Sequence, residues 1–169
     1  VIQALALLRE QHGVDAELLV VGGEAERPDG REPPELVRLR AVAAGHGVEG
    51  NVRFTGRKDR AELRYYYSAA DVFVTTPWYE PFGITPVEAM ASGRPVIARR
   101  AGGVLDTVAE GRSGLFFDAP EAEALAAGPV TMVCPASPFF APFDLAPQLS
   151  PGPPAAPLAW RASYVAVFA

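Results

Sequence analysis

The stretch DVFVTTPWYEPFGITPVEAMASGRPVIAR, residues 71–99, decides the fold of this 169-residue chain. It opens with an apolar run, DVFVTT, which predicts a buried strand. The segment TPVEAMASG begins with Thr-Pro and ends in glycine, as a helix does, and PVIAR predicts a second strand. Both strands are apolar on both faces, which is typical of parallel strands covered by helices on each side.

The same alternation continues on both sides of this unit. Strands are predicted in AELLVVGGE, NVRFTG and GLFFD, and helices in VIQALALLREQHG, PELVRLRAVAAGHG, DRAELRYYYSA, GGVLDTVAEG and PEAEALAAG. We therefore expect the α/β class, with a Rossmann-like parallel sheet and helices on both faces. Ligands of such sheets bind at the carboxyl ends of the strands. The loops there contain Gly22-Gly23, Gly56-Arg57, residues 77–83 and Gly102-Gly103.

The charge distribution divides the chain into two parts. Of the 15 Lys/Arg and 20 Asp/Glu residues, only Arg161 and Asp144 lie beyond Ala127, whereas nine of the 17 prolines do. We expect one domain over residues 1–127, incomplete at its N-terminus because the chain starts in the middle of a helical pattern. Residues 128–169 are expected to be a Pro-rich tail outside the core, disordered or not native to the domain.

Composition argues against several classes of function. The net charge is −5 and no basic run exceeds two residues, which disfavours a nucleic-acid partner. One cysteine and two histidines give no basis for a disulfide framework or a metal site, so we expect no metal. No apolar stretch is long enough to span a bilayer, and no signal peptide is visible. We therefore expect a cytoplasmic protein, for which any membrane contact would be peripheral, at the inner face.

Two glutamates, Glu80 and Glu88, stand eight residues apart around the start of the predicted helix. Thr85, Pro86 and Glu88 match a capping box, which would give Glu88 a structural role at the helix start. Glu80 lies in the preceding loop, where no secondary structure requires a carboxylate.

The residues that lead into this helix, Phe82, Gly83, Ile84 and Thr85, would offer unpaired N–H groups beside the helix dipole. Such a helix start binds anions and suits a phosphate. Carboxylates on both sides of it could accept hydrogen bonds from vicinal hydroxyls. This pattern indicates a nucleoside-diphosphate sugar, with its ribose on one side and its hexose on the other.

The stretch EPFGITPVEAMASGRPVIARRAGGVLDTVAEGRSGLFF resembles the donor-binding, C-terminal half of retaining glycosyltransferases of the GT-B fold that carry a Glu-x7-Glu motif, the group 1 or family 4-like enzymes. The resemblance extends from Val1 to about Ala127 and includes the strand that ends in Gly22 and the segment VRFTGR…ELRYYYSAADVFVTT. It implies hexosyl transfer from a nucleoside-diphosphate sugar, a UDP- or GDP-sugar, with retention at the anomeric carbon and without a cofactor.

The resemblance also implies roles for single residues. Glu80 would position the donor sugar as the catalytic residue, and Glu88 would bind the ribose hydroxyls. The backbone N–H groups of residues 82–85 would meet the sugar and the diphosphate. Gly56 and Arg57 would border the nucleobase, and Gly22 would line the same cleft.

The chain departs from the family pattern at its start. The family holds the diphosphate with an Arg and a Lys in a GR…KG segment before the first helix, and we expect this sequence to begin after that segment and to lack the acceptor domain. We therefore expect a donor-domain fragment with little or no activity alone. The alternative is a non-catalytic nucleotide-binding or degenerate fragment. A related epimerase or phosphorylase is a further option, whereas a nicotinamide enzyme is disfavoured because VVGGEAERPDG lacks a Gly-x-Gly-x-x-Gly turn.

Overall fold

The computed structural model of the chain contains one sheet of six parallel strands, in the order β2-β1-β6-β3-β4-β5. It describes residues 1–23, 32–77, 82–118, 122–133 and 165–168, and for 128–133 and 165–168 only the backbone. The strands are β1 (Leu18–Val21), β2 (Val52–Gly56), β3 (Val72–Thr75), β4 (Val96–Arg99), β5 (Gly114–Phe117) and β6 (Val165–Phe168). The helices are α1 (Ile2–His12), α2 (Pro34–Gly45), α3 (Arg60–Ala69), α4 (Ile84–Ala91), α5 (Val104–Thr107) and α6 (Ala122–Val133), with a short 3-10 helix at Glu49–Asn51.

The α/β class, the parallel sheet and the first five strands are confirmed. Each of these strands coincides with an apolar run in the sequence, and each is followed by a helix at its predicted place. The prediction was too long for GGVLDTVAEG, where α5 is a single turn, and too short for α6, which continues to Val133. No helix in the described part of the chain is long and apolar enough to cross a membrane.

Helices cover both faces of the sheet. Alternate residues of the central strands point to opposite faces, and each set packs against a different group of helices. In β3, Val72 and Val74 join one core cluster, which also holds the buried side chains of α1 and α6. Phe73, between them in sequence, joins a second cluster that contains Tyr67 of α3 and Ala89 of α4. This arrangement explains why the strands are apolar throughout and do not alternate with polar residues.

The structure differs from the sequence expectation at the C-terminal tail. Strand β6, residues 165–168, lies in the middle of the sheet and pairs with β1 and β3 in parallel. The predicted boundary at residue 127 also falls within α6. The physical reason is composition: Val-Ala-Val-Phe is uncharged and β-prone, which suits a strand with neighbours on both sides. The low charge and the prolines of residues 128–169 predict a segment outside the core, whereas residues 165–168 carry a local strand pattern of their own.

Candidate functional site

The start of helix α4 lies at the carboxyl end of β3, but it is not built as the sequence predicts. Gly83 is the N-cap, with φ 65° and ψ 34°, and the first helical residue is Ile84. Thr85 therefore stands inside the first turn and Glu88 in the second, so the predicted Thr85–Glu88 capping box is wrong. Glycine adopts the left-handed conformation at little cost, and this lets the helix begin two residues early.

Gly83 also lies close to the start of α5. A Cβ atom at this position would stand 3.2 Å from Oγ1 of Thr107 and 3.6 Å from the carbonyl oxygen of Gly103. Oγ1 of Thr107 in turn donates to that carbonyl oxygen over 3.2 Å. The loop before α4 and the glycine turn before α5 thus meet at the carboxyl edge of the sheet, as ligand-binding loops of this fold class do.

The first turn of α4 is accessible at this edge. Phe82 and Ile84 are 75% and 57% exposed, whereas Gly83 is buried. The N–H groups of Ile84 and Thr85 belong to the first turn, where backbone donors have no acceptor one turn earlier in the helix. With the positive end of the helix dipole they can bind an anion such as a phosphate.

Glu88 is held by two side chains of α3. The Tyr67 hydroxyl donates to Oε2 of Glu88 over 2.9 Å, and an Nη atom of Arg60 lies 3.5 Å from Oε1. Burial raises the pKa of Tyr67 well above its ordinary value, and the hydrogen bond to the Glu88 carboxylate raises it further. The hydroxyl therefore remains a donor at neutral pH. The Glu88 side chain is 28% exposed, so the carboxylate is fixed at one oxygen and can be reached by a ligand.

Gly22 and Gly56 are brought together by the pairing of β1 with β2. The Gly22 N–H donates to the Gly56 carbonyl oxygen over 3.0 Å. Both residues line a pocket of about 640 Å³ between the ends of these strands and α2, where Phe54 and Arg40 also contribute. The guanidinium of Arg40 lies 5.3 Å from the centre of the Phe54 ring.

Arg57 follows directly and is exposed, at the turn that leads into α3. Arg60, the first residue of α3, forms the ion pair with Glu88, so the loop after β2 is connected to α4. The structure thereby relates the predicted nucleobase loop to the predicted ribose residue. Glu80 lies outside the described residues.

Sequence reasoning missed the contribution of α3 to the site. YYY at 65–67 predicts a helix face against the sheet, but only Tyr67 is buried there, since Tyr65 is 61% exposed. The signal for α3 was present: Asp59 and Glu62 form the capping box that was expected at Thr85. Among the described residues, no group of His, Cys, Asp and Glu side chains could hold a metal ion.

The sequence is similar to those of known enzymes. Mannosylfructose-phosphate synthase of Agrobacterium fabrum is 37% identical over 134 residues, 79% of this chain and 28% of that protein. D-inositol 3-phosphate glycosyltransferase of Corynebacterium urealyticum is 37% identical over 126 residues, 74% of this chain and 29% of that protein. The chain thus spans less than a third of the length of either relative.

A solved structure, Anabaena HepE in complex with UDP and glucose, superposes with a TM-score of 0.53 at 26% identity, over 73% of this chain and 41% of that chain. The similarity is consistent with the predicted Rossmann-like half of a GT-B fold. The model of the family described as glycosyl transferases group 1 matches residues 1–129. The predicted family is therefore confirmed: this chain belongs to the glycosyl transferases group 1.

Proposed function

We propose that this chain is the donor-binding half of a retaining hexosyltransferase that uses a nucleoside-diphosphate sugar. The observation that carries the proposal is the junction of α3 and α4, where an accessible carboxylate, Glu88, stands one turn after the exposed first helical residue, Ile84. A diphosphate fits the helix start and ribose hydroxyls fit the carboxylate. The HepE structure, which contains UDP and glucose, supports a nucleotide sugar as the ligand.

In the reaction, the bond between the anomeric carbon and the diphosphate oxygen breaks, and the acceptor hydroxyl oxygen forms a new bond to that carbon. The proton of the acceptor hydroxyl passes to the leaving nucleoside diphosphate. N–H groups of residues 82–85 would stabilise the charge that develops on the diphosphate, with no cofactor required. Glu80 would position the sugar, and retention means that the acceptor enters on the face the diphosphate leaves.

We propose that residues 1–127 belong to the donor domain, whose sheet also includes strand β6, and that Gly56 and Arg57 border the base, with Gly22 nearby. The residues that bind the acceptor would belong to a separate domain. This chain alone should therefore transfer little or no sugar. We further propose a cytoplasmic protein with, at most, a peripheral membrane contact.

The test is calorimetric titration of the chain with UDP, GDP and ADP. One of them should bind, and Glu88→Gln should weaken binding about tenfold or more, since a charge-assisted hydrogen bond contributes about 1.5–3 kcal/mol. Glu10→Gln, at an exposed position near the end of α1, makes the same charge change far from Glu88 in the sequence. It should have no effect on nucleotide binding. A folded chain that binds none of the three nucleotides would contradict the proposal.

Binding must also be distinguished from catalysis. The non-catalytic alternative predicts that nucleotide binding survives while the chain, even with an acceptor domain of a related enzyme supplied, neither hydrolyses nor transfers the sugar. Transfer of labelled sugar under those conditions, with the anomeric configuration determined by NMR, would support the retaining transferase. A product with the inverted anomeric configuration would contradict retention but not sugar transfer.

A further inference from the structure

Packing in the core holds the Tyr67 side chain in place in the ligand-free chain. Its side chain is only 2% exposed and its ring lies 5.8 Å from that of Phe73, centre to centre, in the cluster between α3, α4 and the sheet. A packed aromatic ring has few ways to move, so its hydroxyl has a defined position. That position is 2.9 Å from Oε2 of Glu88.

The two oxygens of Glu88 therefore have different surroundings. Oε2 accepts from a buried, rigid donor, whereas Oε1 faces Arg60 over 3.5 Å, and the Arg60 side chain is 88% exposed. An exposed ion pair of this kind contributes about 0–1 kcal/mol and is easily rearranged. The carboxylate is thus anchored on its inner side and open on its outer side.

We infer that Tyr67 is a positioning residue that orients the Glu88 carboxylate toward the two vicinal hydroxyls of a nucleotide ribose. The inference rests on the proposed function and adds a residue to it. A carboxylate has about four acceptor sites, so the hydrogen bond from Tyr67 leaves acceptors free for both hydroxyls. Because the side chain is already held in one orientation, less conformational entropy is lost when the ligand binds.

The test uses the nucleoside diphosphate that binds in the titration above and its 2′,3′-dideoxy form. Tyr67→Phe keeps the ring and removes only the hydroxyl, so it should weaken the ribonucleotide about 3- to 10-fold and leave the dideoxy compound unchanged. Tyr66→Phe removes a hydroxyl from the preceding residue of α3, whose ring lies beside Lys58, and should change the affinity for neither compound. Equal loss with both ligands would show a structural effect and overturn the inference.

A double-mutant cycle of Tyr67 and Glu88 separates this inference from the proposed function. In a Glu88→Gln background, Tyr67→Phe should have little further effect, because both residues act on the same hydroxyls. If Glu88→Gln weakens binding but Tyr67→Phe binds as tightly as the unmodified chain, the inference fails and the proposed function stands. If the unmodified chain binds no nucleotide, both fail together.

Discussion

The Tyr67 hydroxyl donates to Oε2 of Glu88 over 2.9 Å, which joins α3 to α4 across 21 residues of sequence. A tyrosine in this state should affect stability at alkaline pH. Its pKa is raised in the folded chain, whereas in the unfolded chain it titrates near pH 10. The stabilising contribution is therefore complete below about pH 10 and is lost as the pH rises toward the folded-state value.

We expect the unmodified chain to lose up to about 1.4 kcal/mol of unfolding free energy per pH unit above pH 10, relative to Tyr67→Phe. Urea unfolding of both proteins at several pH values between 8 and 11 measures this difference. If the unfolding free energies of the two proteins changed equally with pH over the whole range, the prediction would be contradicted. Tyr67 would then ionise equally in the folded and unfolded chains.

The helix cap can be tested by two alanine substitutions. Asp59→Ala removes the side chain that caps α3 and should cost about 1 kcal/mol of unfolding free energy. Thr85→Ala falls within the first turn of α4, where Gly83 is the cap, and should change stability by less than about 0.5 kcal/mol. The reverse order in urea unfolding would restore Thr85 as the cap.

Gly83→Ala should affect both stability and binding. The left-handed conformation costs a residue with a Cβ atom about 1–2 kcal/mol. Here the added Cβ atom would also lie only 3.2 Å from Oγ1 of Thr107, which is a tight contact. We expect a lower free energy of unfolding and weaker nucleotide binding, because the first-turn N–H groups are displaced.

Gly93→Ala is the matched control for this substitution. Gly93 has φ 73°, lies beyond the other end of α4 and has nothing within 4 Å of a Cβ position. It should show the conformational cost alone and bind the nucleotide normally. Equal loss of nucleotide affinity in both variants would mean that the start of α4 has no special part in binding.

Gly114, at the start of β5, is required for packing. A Cβ atom there would lie 2.7 Å from Cγ1 of Val108 and would also clash with the Val96 carbonyl. Gly114→Ala should lower the unfolding free energy by about 1–3 kcal/mol, the usual cost of overpacking. Gly45→Ala, with open space around it at the end of α2, should be neutral or slightly stabilising in the same urea experiment.

The contribution of β6 can be measured at Val167, which pairs with Val20 on one side and Val74 on the other. Val167→Pro removes a backbone donor from a central strand, where proline is not tolerated, and should cost about 3 kcal/mol or more. Val167→Ala keeps the N–H and isolates the effect of shortening the side chain. If the two variants were equally stable, β6 would not be a strand of the folded sheet in solution.

The candidate site could be predicted in part. Gly22 and Gly56 follow predicted strands, and the pairing of β1 with β2 brings them within hydrogen-bonding distance. The sequence predicts the start of α4 two residues late, because Thr-Pro-x-Glu is locally as good a helix start as Gly-Ile. The contact of Gly83 with the start of α5 is not visible from either segment alone.

The sequence by itself determined the first five strands and the helices that follow them, because apolar runs and glycine or proline stops act over a few residues. It also determined the parallel α/β class and placed Glu88 on a helix. Only the tertiary structure decided the order of strands, the insertion of residues 165–168 between β1 and β3, and the meeting of Tyr67 with Glu88. These depend on contacts between segments far apart in the chain, whose geometry is set by packing on the sheet and by no local pattern.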